Sequence, residues 1–251
     1  MKIANKYFLK QKITATQSDM KSLFRFDSIL GAFQDATTAH SAIMGVDHDG
    51  LIASSNAFWV LSKIKFKISG SIKTGDEVTI QTWPKKPSAF RFIREYLIEK
   101  DGAFAGEDAS VKIEGKSEWC VLDADTHMLR KLSSICYPKF EHIEDSTGVS
   151  DFARLKIEVG EEDLAYTYKT ALTDIDCNAH VNNLAYARMS LNAFSPEEFA
   201  LKGFNAFELH FISQTFYGDE ISIYKKTTES GVYVEGKKAD LSVFKALFYN
   251  E

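Results

Sequence analysis

The sequence predicts an α+β protein that carries one plan twice: a helix followed by a run of antiparallel strands. Three observations predict it. Ile29, Phe33, Ala36, Thr37, His40, Ile43 and Met44 recur at helical spacing, and β-rich runs broken by glycine and proline follow them. The same order returns in the second half, where Val181, Leu184, Ala187, Arg188 and Leu191 fall at helical spacing ahead of further β-rich runs. Finally, Thr74-Gly75-Asp76-Glu77-Val78-Thr79-Ile80 matches Tyr217-Gly218-Asp219-Glu220-Ile221-Ser222-Ile223 at an offset of 143 residues, Gly75 to Gly218. A Gly-Asp turn alone is common, but its agreement in order with the two helices favours duplication.

In chain order, Tyr7 to Thr14 reads as a strand. The first helix has Asp27 or Ser28 as candidate cap and Gly45 as its end. Val46 to Ser55, with Asp47, His48, Asp49 and Gly50, reads as a loop. Strands are expected over Phe58 to Ile68, Glu77 to Trp83, Phe90 to Ile98 and Val111 to Leu122. Gly70, Thr74-Gly75-Asp76, Pro84, Pro87 and Asp101-Gly102 punctuate them. A long apolar helix beside such a sheet must be wrapped by it to bury its faces. In the second half strands are expected over Leu164 to Lys169, Phe207 to Phe216, Glu220 to Tyr224, Val232 to Gly236 and Leu241 to Phe248. Pro138, Glu141, Glu144, Asp145, Ser146 and Gly148 read as a linker, so the expected domains are 1–137 and 151–251, joined by 138–150.

Hydrophobic residues make up 45% of the chain and charged residues 26%, which supports a real core and excludes a disordered composition. The net charge of −5 argues against a general nucleic-acid binder. Cys120, Cys136 and Cys177 lie far apart and odd in number, against a disulfide framework and for a reducing compartment. Met1 to Met20 lacks the apolar run of a signal peptide, and no run is long enough for a membrane helix. The expectation is a cytoplasmic, soluble protein without membrane insertion.

The stretch that carries chemistry is Asp176-Cys177-Asn178-Ala179-His180-Val181-Asn182-Asn183, directly ahead of the second helix. His180 is the natural proton carrier near neutral pH. Asp176 is placed to accept a proton from water or to orient the imidazole. Asn178 does not titrate and is suited to holding water or substrate. If the stretch is extended, Asp176, Asn178 and His180 point to one side and Cys177 points away into packing. Helix N-terminal N–H groups near Val181 to Asn183 would then face an oxyanion. The plainer alternative is that Asp176 and Asn178 cap the helix and His180 is a turn residue.

With Asp176-x-Asn178-x-His180-Val181-Asn182-Asn183, which matches a D-x-N-x-H-V-N-N signature, the chain resembles the acyl-acyl-carrier-protein thioesterases, tandem hotdog proteins. Supporting segments are Gln81-Thr82-Trp83 and Ser117 to Asp123, running on to Thr126 and Arg130-Lys131-Leu132. A shorter D-x-N-x-H-x-N-N motif also occurs in single-hotdog coenzyme A thioesterases. The resemblance implies two hotdog domains, each a curved antiparallel sheet wrapped around a long helix. It implies an acyl-chain pocket in the first and catalysis in the second. Phe33, Ile43, Met44, Phe58, Trp59 and Trp83 are candidate pocket lining, though residues of this kind are more often ordinary core.

The resemblance also implies an acid and a cysteine before the second Gly-Asp turn, where this chain has Gln214 and Thr215. Gln214 can orient water but not take its proton, and Thr215 is a poor nucleophile. The expected mechanism is direct water attack, with Asp176, Asn178, His180 and Gln214 as site residues. The expected reaction releases free fatty acid from acyl-acyl-carrier protein in fatty acid biosynthesis. No cofactor and no metal are implied. The expected partner is the carrier protein with a phosphopantetheine-linked acyl chain, not nucleic acid, and either a monomer or a homodimer is compatible. Lys85 and Lys86, with Lys63, Lys65 and Lys67, would attract such an acidic carrier or are solvated edge-strand lysines. His40 reads as a core or rim histidine. The alternatives are an acyl-coenzyme A thioesterase of the same fold and a non-catalytic acyl-binding protein.

Overall fold

A computed structural model describes residues 5–101 and 111–251. Met1 to Ala4 and Gly102, the latter from the expected Asp101-Gly102 turn, lie outside the described residues. The chain divides into two compact units, Met1–Ser150 and Asp151–Glu251.

The first unit contains β1 (Tyr7–Lys12), α1 (Phe26–Ile43), α2 (His48–Ser55), β2 (Ala57–Ser69), β3 (Glu77–Pro84), β4 (Phe92–Lys100) and β5 (Lys112–Asp123). The strands lie in the order β1-β3-β4-β5-β2, every pair antiparallel. Ile29, Phe33 and Ala36 on α1 are wholly buried, the apolar stripe that its spacing predicts. Phe33 stacks on Tyr96 at 4.3 Å between centroids and lies over Gly115, where a Cβ would collide with its ring. That glycine lets the helix settle close to the strand. The helix cap is Arg25 rather than Asp27 or Ser28; Asp27 sits inside the first turn and accepts from Arg25 Nε at 2.5 Å. Gly45, at φ +69°, follows the helix end as expected. His40 is fully buried, 3.0 Å from an Arg94 guanidinium nitrogen.

The second unit contains β6 (Leu164–Lys169), α3 (Asn183–Leu191), α4 (Pro196–Lys202), β7 (Ala206–Phe211), β8 (Glu220–Thr228), β9 (Gly231–Lys238) and β10 (Leu241–Tyr249). Its strand order β6-β8-β9-β10-β7 repeats that of the first unit pair for pair. Two α+β units of one topology are the expected fold class. The second helix is shorter than expected: α3 has 9 residues against 18 in α1. The expected strand from Phe207 to Phe216 stops at Phe211, which frees the next residues for the site described below.

Two helices fall where none was expected. In place of the loop over Val46 to Ser55, α2 forms with Asp47 as cap, its carboxylate accepting from Gly50 N–H. It buries only Leu51, so it has no periodic stripe to read. α4 begins at Ser195, whose hydroxyl accepts from Glu198 N–H, and ends at Gly203 with φ +59°. Both signals were present in the sequence as Ser195-Pro196 and Gly203.

The segment expected as a linker is bonded to the first sheet from Ile143 to Ser150. Lys85 Nζ donates to the carbonyls of Ile143, Glu144 and Asp145, at 2.9, 2.6 and 2.8 Å. Trp83 Nε1 donates to the Asp145 carbonyl, Gly148 N–H to Glu114 and Thr147 to Glu95. Lys67 donates to the Gly148 carbonyl and Lys65 to Ser150 Oγ. Burial of Lys65, Glu95 and Glu114 under this strap is tolerable because each charge has a partner. This corrects the reading of Lys65, Lys67 and Lys85 as an open carrier-attracting patch. Lys63 lies 3.6 Å from Glu118. Of the candidate pocket-lining residues, Trp83 is buried beneath the strap and Ile43 is half exposed.

Candidate active site

The stretch ahead of α3 is a tight turn, not an extended segment. Asp176 N–H donates to the His180 carbonyl at 2.9 Å and Ala179 N–H to the Asp176 carbonyl at 3.0 Å. An Ile175–Val181 bridge closes the base. Asp176 Oδ1 accepts from Asn178 N–H at 2.8 Å, so the carboxylate braces the turn from inside. Ala179 takes φ +60°, a left-handed conformation that a non-glycine residue adopts only under constraint. Alternation along a strand is therefore not what gathers Asp176, Asn178 and His180; the turn does. Cys177 sits exposed on it, which corrects the expectation that it packs inside.

Two further bonds fix the corner to its surroundings. Val181 N–H donates to the Thr215 carbonyl at 2.9 Å and Asn182 N–H to the Asp174 carbonyl at 2.7 Å. Those two N–H groups are consumed by the fold and cannot serve an oxyanion, contrary to expectation. Among the described residues the N–H groups of His180 and Asn183 have no such partner. Asn182 caps α3 by accepting from Leu184 N–H at 2.8 Å.

The Thr215 contact brings Gln214 beside the corner. Thr215 is fully buried; its N–H and hydroxyl lie 3.1 and 2.9 Å from the Tyr186 hydroxyl. Both groups are thus engaged by Tyr186. Burial pushes the Tyr186 hydroxyl above its ordinary pKa, keeping it protonated. Phe216 packs edge-on against the His180 ring at 5.1 Å between centroids. The side chains of Asn178 and Gln214 are exposed and make no hydrogen bond among the described residues. No hydrogen bond joins the Asp176 carboxylate to the His180 ring among the described residues.

Sequence reasoning passed over Asp174, Tyr186 and Phe216. Asp174 is buried and accepts from Tyr168 Oη and Ala171 N–H, both at 2.8 Å, with Arg188 at 3.8 Å. The signal for Asp174 was an acid five residues after a strand, placed to accept from the N–H three residues before it and close a turn. Nothing in the sequence pairs Tyr186 with Thr215, which are 29 residues apart. Among the described residues no group of three or more His, Cys, Asp or Glu side chains is placed to hold a metal ion.

Fold and site together define a double hotdog-like α+β protein with a histidine-bearing corner in its second unit. The chain belongs to the acyl-ACP thioesterase family: the model of the acyl-ACP thioesterase N-terminal domain matches residues 4–137 and that of the C-terminal domain matches 157–243. It is similar to an acyl-ACP thioesterase from Bacteroides thetaiotaomicron, with TM-score 0.86 and 19% identity over 98% of each chain. It is also similar to the 12:0-ACP thioesterase from Umbellularia californica, with TM-score 0.82 and 15% identity, covering 98% of this chain and 97% of that one. Among curated sequences it is 25% identical over 181 residues to a chloroplastic palmitoyl-acyl carrier protein thioesterase from Cuphea hookeriana. That match takes in 68% of this chain but 42% of the relative, so the chain spans under half of that relative's length.

Proposed function

We propose that this protein hydrolyses acyl thioesters carried on the phosphopantetheine arm of acyl-carrier protein, releasing free fatty acid for lipid synthesis. The observation that supports it is the corner itself: a braced turn carries His180 and the exposed Asn178, with the His180 and Asn183 N–H groups unspent among the described residues, and is bonded to Thr215 next to the exposed Gln214, in a chain of this family. The thioester carbonyl is polarised by the His180 and Asn183 N–H groups. Asn178 and Gln214 orient a water molecule, and His180 takes its proton as the oxygen attacks the carbonyl carbon. The C–S bond then breaks, the electron pair leaves with sulfur, and the imidazolium returns its proton to the thiolate. Thr215 is committed to Tyr186, and no covalent intermediate is invoked.

The first unit, which has no copy of the Asp-x-Asn-x-His motif, is proposed to hold the acyl chain. A reducing compartment such as the cytoplasm fits the three free thiols. Among the described residues no helix is long and apolar enough to cross a membrane. The test is thiol release from matched acyl-carrier-protein and acyl-coenzyme A thioesters of several chain lengths. Faster turnover of the carrier-bound series supports the proposal. Preference for coenzyme A would move the substrate to that class, and no release from either would leave an acyl-binding protein.

A further inference from the structure

The first unit contains a second copy of the site turn. Asp19 N–H donates to the Leu23 carbonyl at 2.8 Å, and Ser22 N–H donates to the Asp19 carbonyl at 2.9 Å. Asp19 Oδ1 accepts from Lys21 N–H at 2.8 Å, and Ser22 takes φ +61°. These bonds and this strained residue recur from Asp176 to His180, shifted by 157 residues, Asp19 to Asp176; Asp19 Oδ1 accepts in addition from Leu23 N–H at 2.9 Å, a bond that the His180 N–H does not make. The attachment is copied as well. Phe24 N–H donates to the Ile72 carbonyl as Val181 N–H does to that of Thr215, both at 2.9 Å. Arg25 N–H donates to the Gln17 carbonyl as Asn182 N–H does to that of Asp174.

What differs is the chemistry mounted on the turn. Lys21 stands where the second unit has Asn178, Leu23 where it has His180, and Ser71 where it has Gln214. The first copy keeps the aspartate without the amide or the imidazole. An aspartate that makes the shared bond, and one more to Leu23 N–H, where there is no histidine to serve is explained by the turn alone.

Resting on the thioesterase reading above, we propose that Asp176 is a positioning residue. Its carboxylate holds the turn that presents Asn178 and His180, and proton transfer is carried by His180 alone. An asparagine at this position keeps an Oδ1 able to accept from Asn178 N–H, whereas alanine does not. The two substitutions therefore separate turn-holding from proton-taking.

The experiment compares Asp176→Asn, Asp176→Ala, Asp19→Asn and Asp19→Ala in the full chain. Thiol release from acyl-carrier protein, its pH profile, thermal melting and hydrogen exchange at the Asn178 amide are measured. Expected for Asp176→Asn is kcat within about threefold of the parent and a superimposable pH profile, because the proton is still carried by the same side chain. Expected for Asp176→Ala is a kcat at least about tenfold lower, faster exchange at Asn178 and a Tm lower by about 2–6 °C. Asp19→Ala should lower the Tm similarly with kcat unchanged, and Asp19→Asn should restore it.

A loss of about 10²–10⁴-fold in Asp176→Asn with an unchanged Tm would overturn the proposal, since that is the size of a missing general base. Parent-like melting, exchange and turnover in Asp176→Ala would overturn it equally. If the parent hydrolyses none of the thioesters, the hydrolase reading fails by itself. Melting and Asn178 exchange then still decide whether the aspartate holds the turn.

Discussion

Asp19 and Asp176 occupy the same position in two copies of one turn, each accepting at 2.8 Å from the N–H two residues ahead. The chain thus carries its own control for the site. Whatever both copies share belongs to the scaffold: the aspartate, the left-handed fourth residue and the bond to the strand approach beside the Gly-Asp turn. What only the second copy has is Asn178, His180 and Gln214, the groups with chemistry to offer.

Ala179 and Ser22 are held at φ +60° and +61°, where a Cβ is strained. Ala179→Gly should therefore raise stability by about 1 kcal/mol, and Ser22→Gly by a similar amount, because glycine enters this region freely. Thermal melting of each variant checks this. An unchanged or lower Tm would mean that the added freedom of the unfolded chain outweighs the strain.

Glu114 links the strap to acidity. Burial opposes its charge, but the Gly148 N–H and Lys112 outweigh burial and leave its pKa below the ordinary 4.5. A depressed carboxylate stabilises the fold above its unfolded pKa, and the contribution disappears as pH falls through the folded value. Hydrogen exchange at Gly148 should accelerate as pH is lowered below about 4.5, after correction for intrinsic rates. Glu114→Gln should remove most of that pH dependence.

Tyr186 serves both the N–H and the hydroxyl of buried Thr215. Tyr186→Phe leaves both groups without that partner, and the expected cost is about 1–3 kcal/mol. Denaturant unfolding reads the stability. Turnover should fall as well, because the Thr215 carbonyl is what fixes Val181 beside His180.

Much of the fold was legible because it rests on local signals. The apolar stripe of α1, the alternating runs of the strands and the paired Gly-Asp turns need only their own neighbours to be read. Gly75 and Gly218 do sit at φ +92° and +84°, in turns whose amides bond back to Ile13 and Thr170 respectively. The weakly amphipathic α2 and the short capped α4 escaped because periodicity outvoted their caps. The strap escaped for a deeper reason: Lys67 meets Gly148 across 81 residues, and no local pattern encodes that pairing. At the site, residue types were readable but geometry was not. Extended backbone and a turn both satisfy an acid-amide-imidazole spacing, and only the bonds of Asp176 and the φ of Ala179 choose between them.

The central claim is that His180 on this turn performs thioester hydrolysis. Its most direct test is the initial rate of thiol release from acyl-carrier-protein thioesters by the parent, His180→Ala and Cys177→Ala proteins, with folding checked by melting. The account predicts rapid release by the parent, a loss of about 10²-fold or more in His180→Ala, and no change in Cys177→Ala. Parent-level turnover by folded His180→Ala, or loss confined to Cys177→Ala, would contradict it.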